Sequence, residues 1–126
     1  MDAMFNVCSS LVNLDLSGFT GTSSNTTLNY LCNECSALET VTLNGMDTSA
    51  VTNMKRAFYR CNSLKELNIG EIDTSKVTTF EQFLDLNNNT GITSLDLSKW
   101  DVSQSTNFSS FLSGFTKITS YSAPTT

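Results

Sequence analysis

Histidine is absent from the 126 residues, and its absence removes nucleophilic triads and imidazole proton relays from consideration. Only carboxylate, lysine or tyrosine chemistry would remain to an enzyme, and the chain is expected to be non-catalytic. Basic residues are also scarce. Seven Lys and Arg stand against twelve Asp and Glu, for a formal charge of −5, and the seven are scattered rather than clustered. Nucleic acids and anionic membranes both reward a basic surface, so neither is expected as a partner. Long apolar runs are missing as well. No stretch approaches the roughly 18 to 20 residues that a membrane span requires, so no membrane insertion by this segment is expected. Met1 to Asn6 lacks the basic segment and apolar run of a signal peptide.

What the chain does have is periodicity. The anchors Leu11, Leu38, Leu64, Ile92 and Ile118 are separated by 27, 26, 28 and 26 residues. A period of this length marks a solenoid, in which each coil covers its neighbours and the core is a strip between them. Met1, Met4, Phe5 and Cys8 fill the slots of Met54, Ala57, Phe58 and Cys61, and Tyr121 and Ala123 fill those of Leu67 and Ile69. Both ends therefore fall within a repeat, so residues 1–126 are expected to be a single solenoid domain cut from a longer array.

Each coil reads in two parts. In the first, apolar residues fall as Leu64, Leu67 and Ile69, with counterparts Leu11, Leu14, Leu16; Leu38, Val41, Leu43; and Ile92, Leu95, Leu97. The alternation of the last two positions predicts a short strand, and strands of successive coils should pair in parallel about 4.8 Å apart. A further apolar column follows at Phe19, Met46, Ile72 and Trp100, with Trp100 read as a packing residue. In the second part, Asp47-Thr48-Ser49, Asp73-Thr74-Ser75 and Asp101-Val102-Ser103 offer oxygens that cap a helix start. Val51, Met54, Ala57, Phe58 and Cys61 then recur at intervals of three, three, one and three, the spacing of one helical face. Short helices are expected opposite the sheet. Two departures, at Thr20-Gly21-Thr22-Ser23 and Asn87-Asn88-Asn89-Thr90-Gly91, read as loops bulging from a coil edge.

The four cysteines follow the same columns. Cys8, Cys35 and Cys61 share one slot, and Cys32 takes the slot of Phe5 and Phe58. Packed helices would hold successive slots roughly 8 to 10 Å apart, beyond the ~7 Å Cα limit of a disulfide, so buried free thiols are expected. Cys32-x-x-Cys35 lacks the further ligands that zinc needs, and no metal or other cofactor is expected. On the strands, Asp15, Thr42, Asn68 and Asp96 form one outward column, beside Asn13, Thr40, Glu66 and Ser94. Asp15 and Asp96 lie three coils apart, about 14 Å by strand spacing, too far to act as a glycosidase pair. These eight residues are either a polar binding face or a solvated sheet surface.

The stretches MFNVCSSLVNLDLSGF and MDTSAVTNMKRAFYRCNSLKELNI resemble the repeats of BspA-like leucine-rich-repeat surface proteins of bacteria and some protists. In that family units run D-T-S-x-V-T-x-M-x-x-M-F-x-x-C-x-S-L-x-x-L-x-L. The last copy departs, with Ser105 in the slot of Val51 and Phe115 in that of Cys61. The resemblance implies an α/β leucine-rich-repeat solenoid of about four to five coils of 26–28 residues, with a parallel sheet on one face and short helices on the other. It also implies an extracellular or cell-surface location and adhesion to a protein or glycan on a host or neighbouring cell. The alternative expectation is a structural spacer, or a subunit of an extracellular or viral fibre built by end-to-end self-association of open coils.

Overall fold

A computed structural model describes residues 1–20 and 24–124. Its strands are β1 (Asn13–Asp15), β2 (Thr40–Thr42), β3 (Glu66–Asn68), β4 (Leu84–Asn89), β5 (Ser94–Asp96), β6 (Leu112–Phe115) and β7 (Ser120–Ser122). Every pairing between them is parallel, as it must be when each coil runs in the same sense. β1, β2 and β3 form one sheet, β5 pairs with β7 and β4 with β6. A second row of single parallel bridges joins Thr27, Asn53, Thr79 and Asn107 on four successive coils. The chain is thus a β-solenoid. Leu14, Val41 and Leu67 stand in register across the first sheet, while Leu95 faces Tyr121 in the second.

The expected helices are not there. Among the described residues the segments from Leu28, Met54 and Phe80 form successive turns, and their N–H groups alternate between two kinds of acceptor. Leu28, Tyr30, Cys32 and Glu34 donate across to Asn53, Lys55, Ala57 and Tyr59, while Leu31, Asn33 and Cys35 donate back three residues within the coil. Tyr30, Glu34, Arg56, Arg60 and Gln82 hold positive φ, which an α-helix does not tolerate. A chain of turns of three to four residues buries positions i, i+3, i+4 and i+7 just as a helix does, so the apolar spacing fits both. The ladder to the next coil decides between them, because it satisfies in one step the backbone donors that a short helix would leave free at its end.

Asp47, Asp73 and Asp101 consequently close turns rather than cap helices. Their Oδ1 atoms accept the N–H groups of Ser49, Ser75 and Ser103 at 3.0, 2.9 and 2.9 Å. The threonines between them bind coils together. Thr48 and Thr74 are buried, and their hydroxyls donate to the carbonyls of Asp73 and Asp101 in the next coil.

A continuous apolar core fills the coils, from Leu14 to Trp100. Trp100 is fully buried as expected, stacked on Phe80 with ring centres 5.1 Å apart. Phe19 departs from its column and is 44% exposed. It follows β1, the edge strand of its sheet, which pairs only with β2.

Of the two expected loops, residues 21–23 lie outside the described residues. The other, Asn87 to Gly91, does bulge, with Asn87 and Asn88 exposed, but its first half is an irregularity within a strand and not a free loop. Residues through Asn89 belong to β4, whose pairing with β6 shifts register between Asp85 and Asn89. Asn89 is fully buried; its Nδ2 donates to Asn62 O at 3.0 Å and Leu64 O at 2.9 Å, and its Oδ1 accepts Ile92 N–H at 3.0 Å. The amide side chain takes over three backbone partners where the extra residues throw the ladder out of step. Gly114 on β6 has φ +83°, and a Cβ there would come 2.0 Å from Leu86 O. Glycine is required at that crossing.

Candidate functional site

The strand face is narrower than the sequence suggests. Asn13, Thr40 and Glu66 stand opposite one another across β1, β2 and β3, as do Asp15, Thr42 and Asn68. Ser94 and Asp96 are not laddered to them. They sit on β5, paired with Ser120 and Ser122 of β7. The coils still touch at this step, since a Cβ on Gly70 would lie 2.8 Å from Asp96 O. Side chains replace the missing ladder, with Trp100 Nε1 donating to Ile69 O at 2.9 Å and Asn89 holding the turn row. The eight residues therefore divide into a block of six and a separate pair.

Within the block, polar side chains organise one another. Thr40 donates to Asn13 Oδ1, and Asn68 Nδ2 donates to Thr42 Oγ1 at 3.2 Å and Glu66 Oε1 at 3.3 Å. Asp15 accepts Ser17 N–H at 2.9 Å and Asp96 accepts Ser98 N–H at 3.0 Å. Donation from the serine hydroxyl and N–H holds both carboxyls below the usual carboxylate range. They are anions tied to their own turns. Such a surface presents fixed acceptors at β spacing.

A second face escaped the sequence reading. Tyr30, Arg56 and Gln82 occupy one positive-φ slot in consecutive coils, and Glu34 and Arg60 another. The Arg56 guanidinium lies 4.5 Å from the centre of the Tyr59 ring and 5.8 Å from that of Tyr30. Its Nε donates to Gln82 Oε1 at 2.6 Å. Arg60 covers Tyr59 from the other side at 5.2 Å, and its hydrogen bond to Tyr59 raises its already high pKa. A shallow cleft beside them is lined by Val7, Ser9, Glu34, Ser36, Tyr59, Arg60 and Asn62. The available signal was column identity: residues 30, 56 and 82 repeat at the coil period one step outside the apolar slots.

Residues 1–91 and 26–123 match the family described as Mycoplasma protein of unknown function, DUF285. The chain belongs to the DUF285 family. No curated protein and no solved structure matches it. The two overlapping matches fit the geometry of this DUF285 chain, since a periodic sequence aligns with a repeat pattern in more than one frame.

Both ends of the DUF285 solenoid show apolar side chains. Met4 and Val7 are exposed at the first coil, and Phe108 and Tyr121 at the last. Phe108, Phe111, Leu112, Tyr121, Val102, Ser110 and Pro124 line an open cleft there. Inter-coil donors such as Phe80 N–H and Gln82 N–H point from each coil to carbonyls of the following one. Others, such as Thr78 N–H to Thr52 O and Lys65 N–H to Glu39 O, point back to the preceding coil, so the ladder carries both N–H groups and carbonyls toward each end.

Proposed function

We propose that this chain is a non-catalytic recognition module of the BspA-like leucine-rich-repeat kind, working at a cell surface and binding a protein or glycan through its strand face. One observation carries the reading: Asn13, Thr40 and Glu66 and, beside them, Asp15, Thr42 and Asn68 form two polar rows on a rigid three-stranded sheet. Amide, hydroxyl and carboxylate groups repeated at about 4.8 Å suit hydrogen bonding to a glycan or to polar side chains of a protein. Their existing hydrogen bonds reduce the side-chain entropy lost on binding. The location follows from the resemblance of the repeats to surface proteins.

The test is a binding screen against a glycan array and a panel of matrix and cell-surface proteins. Wild-type chain is compared with a variant carrying Asn13→Lys, Glu66→Lys and Asn68→Lys. Selective binding by wild type, lost in the folded variant, supports the reading. Equal binding by the two rejects the strand face as the site.

A second reading, as a spacer or fibre subunit, draws on the open ends. Apolar residues are exposed at both ends and every strand pairing is parallel, so a second copy could extend the stack head to tail. Light scattering against concentration decides, because a species that stays monomeric at high concentration counts against assembly.

A further inference from the structure

Cys8, Cys35 and Cys61 occupy one slot on three successive coils, and the chain treats each alike. Their N–H groups close turns onto Phe5, Cys32 and Phe58 O at 3.3, 3.3 and 3.4 Å, and their carbonyls accept Leu11, Leu38 and Leu64 N–H. The residue before each belongs to the inter-coil ladder, with Val7 N–H on Asn33 O at 2.8 Å and Glu34 N–H on Tyr59 O at 2.7 Å. The column is therefore spaced like β-strands, about 4.8 Å apart, and not like packed helices. The distance that seemed to forbid a bridge between coils falls inside the Cα range of a disulfide.

The sulfurs lean the same way. Cys35 Sγ donates to Phe5 O and Cys61 Sγ to Cys32 O, each at 2.9 Å, so each thiol reaches the turn that the cysteine of the coil before it closes, through the carbonyl that accepts that cysteine's N–H. Cys35 and Cys61 are fully buried and all four cysteines are free, with only Cys8 partly exposed. Among the described residues no three acidic, cysteine or histidine side chains converge to hold a metal ion, which leaves sulfur–sulfur chemistry as what the column offers.

We propose that the Cys8–Cys35–Cys61 column is a thiol–disulfide exchange site that admits a small-molecule disulfide at Cys8 and closes a bond between the coils at Cys35 and Cys61. The Cys8 thiolate attacks the disulfide RSSR, forming Cys8–S–S–R and releasing one RSH, which carries the proton that Cys8 gave up. Cys35 then attacks the Cys8 sulfur, and the second RSH leaves with the proton from Cys35. Finally Cys61 attacks the Cys35 sulfur, returning Cys8 to the thiol with the proton from Cys61. In total two protein thiols lose two electrons and two protons, and RSSR gains them as two RSH. Interaction with the Cys61 side chain favours the Cys35 thiolate, while the same interaction and burial push the Cys61 thiol up. The final bond rests in the core, away from solvent reductants.

Oxidised glutathione is the probe. The folded chain is incubated with it, quenched by alkylation in denaturant, and mapped by mass spectrometry. The expected product is lighter by two hydrogens, carries a Cys35–Cys61 linked peptide, and leaves Cys8 and Cys32 alkylated. A Cys8→Ser variant should form that link at least about tenfold more slowly, since a buried thiol must wait for local opening. Three results would overturn the proposal: reaction that stops as a mixed disulfide at Cys8, a link between Cys32 and Cys35, or undiminished linking in Cys8→Ser. The first two are read on the wild-type chain and need no variant to fold.

Discussion

Between β1 and β3 the coils repeat with little deviation, whereas beyond β3 the same architecture is held by irregular means. The first region is filled mostly by aliphatic side chains and thiols, among them Leu31, Cys32, Cys35, Val41 and Cys61, with Phe58 its one buried ring. Each coil sits over the last at β spacing, and one continuous sheet results. The second region is filled by rings. Phe80 meets Phe83, Trp100, Phe108 and Phe111 with centroids between 5.1 and 5.9 Å. Large side chains and two added residues put β5 out of step with β3, and Asn89 and Trp100 supply the hydrogen bonds that the backbone no longer makes. The lesson is that a solenoid tolerates a fault in its ladder when a buried polar side chain reproduces the lost partners.

The sharpest way to test that contrast is to empty each region in turn. Phe80→Ala should destabilise by about 3 to 5 kcal/mol, because a ring touching four others leaves a cavity that rigid neighbours cannot close. Cys61→Ala, which removes one sulfur from the regular region, should cost about 1 to 2 kcal/mol. Urea denaturation of both variants measures the difference. Equal losses would mean that the aromatic region is no more dependent on shape than the thiol region.

The fault itself is next in size. Asn89→Ala leaves the carbonyls of Asn62 and Leu64 and the N–H of Ile92 without their partner, and should cost about 2 to 3 kcal/mol. Amide hydrogen exchange should quicken around Ile92 and β4 while β1 to β3 remain protected. Uniform exchange across the chain would show that the two regions do not differ.

The smallest effect is electrostatic and belongs to both regions. Asp15, Asp47, Asp96 and Asp101 have carboxyls lowered from 3.8 by donation from serine hydroxyl and N–H groups. A lowered folded pKa contributes stability above the unfolded value and loses it as pH falls through the folded one. Stability should therefore decline on acidification below about pH 4. Asp47→Asn, which keeps a turn-closing oxygen without the charge, should weaken that decline slightly. An unchanged acid profile in a series of such variants would remove the carboxylates from the account.

Much of this was legible in the residues. The period, the parallel strands and the burial of Trp100 follow from the positions of apolar side chains, and of the expected ladder Leu14, Val41, Leu67 and Leu95 the first three stand in register while Leu95 pairs with Tyr121 instead. The helices did not follow, because an i, i+3, i+4 pattern fits a run of turns as well as an α-helix. Six of the eight strand-face residues share a sheet, while Ser94 and Asp96 lie beyond the fault. The Tyr30–Arg56–Tyr59 stack was hidden because it depends on left-handed backbone at Tyr30 and Arg56, which no side-chain pattern announces.

By itself, then, the sequence determined that this chain coils, how long each coil is, and which side chains turn inward, since those depend on the spacing of apolar groups that must leave water. Only the tertiary structure decided where the backbone hydrogen bonds go. That choice lies between partners within a coil and partners in the next one, and the second set exists only once coils are stacked. With it came the stacking of the cysteine slot at the ladder spacing, the broken sheet and the buried role of Asn89.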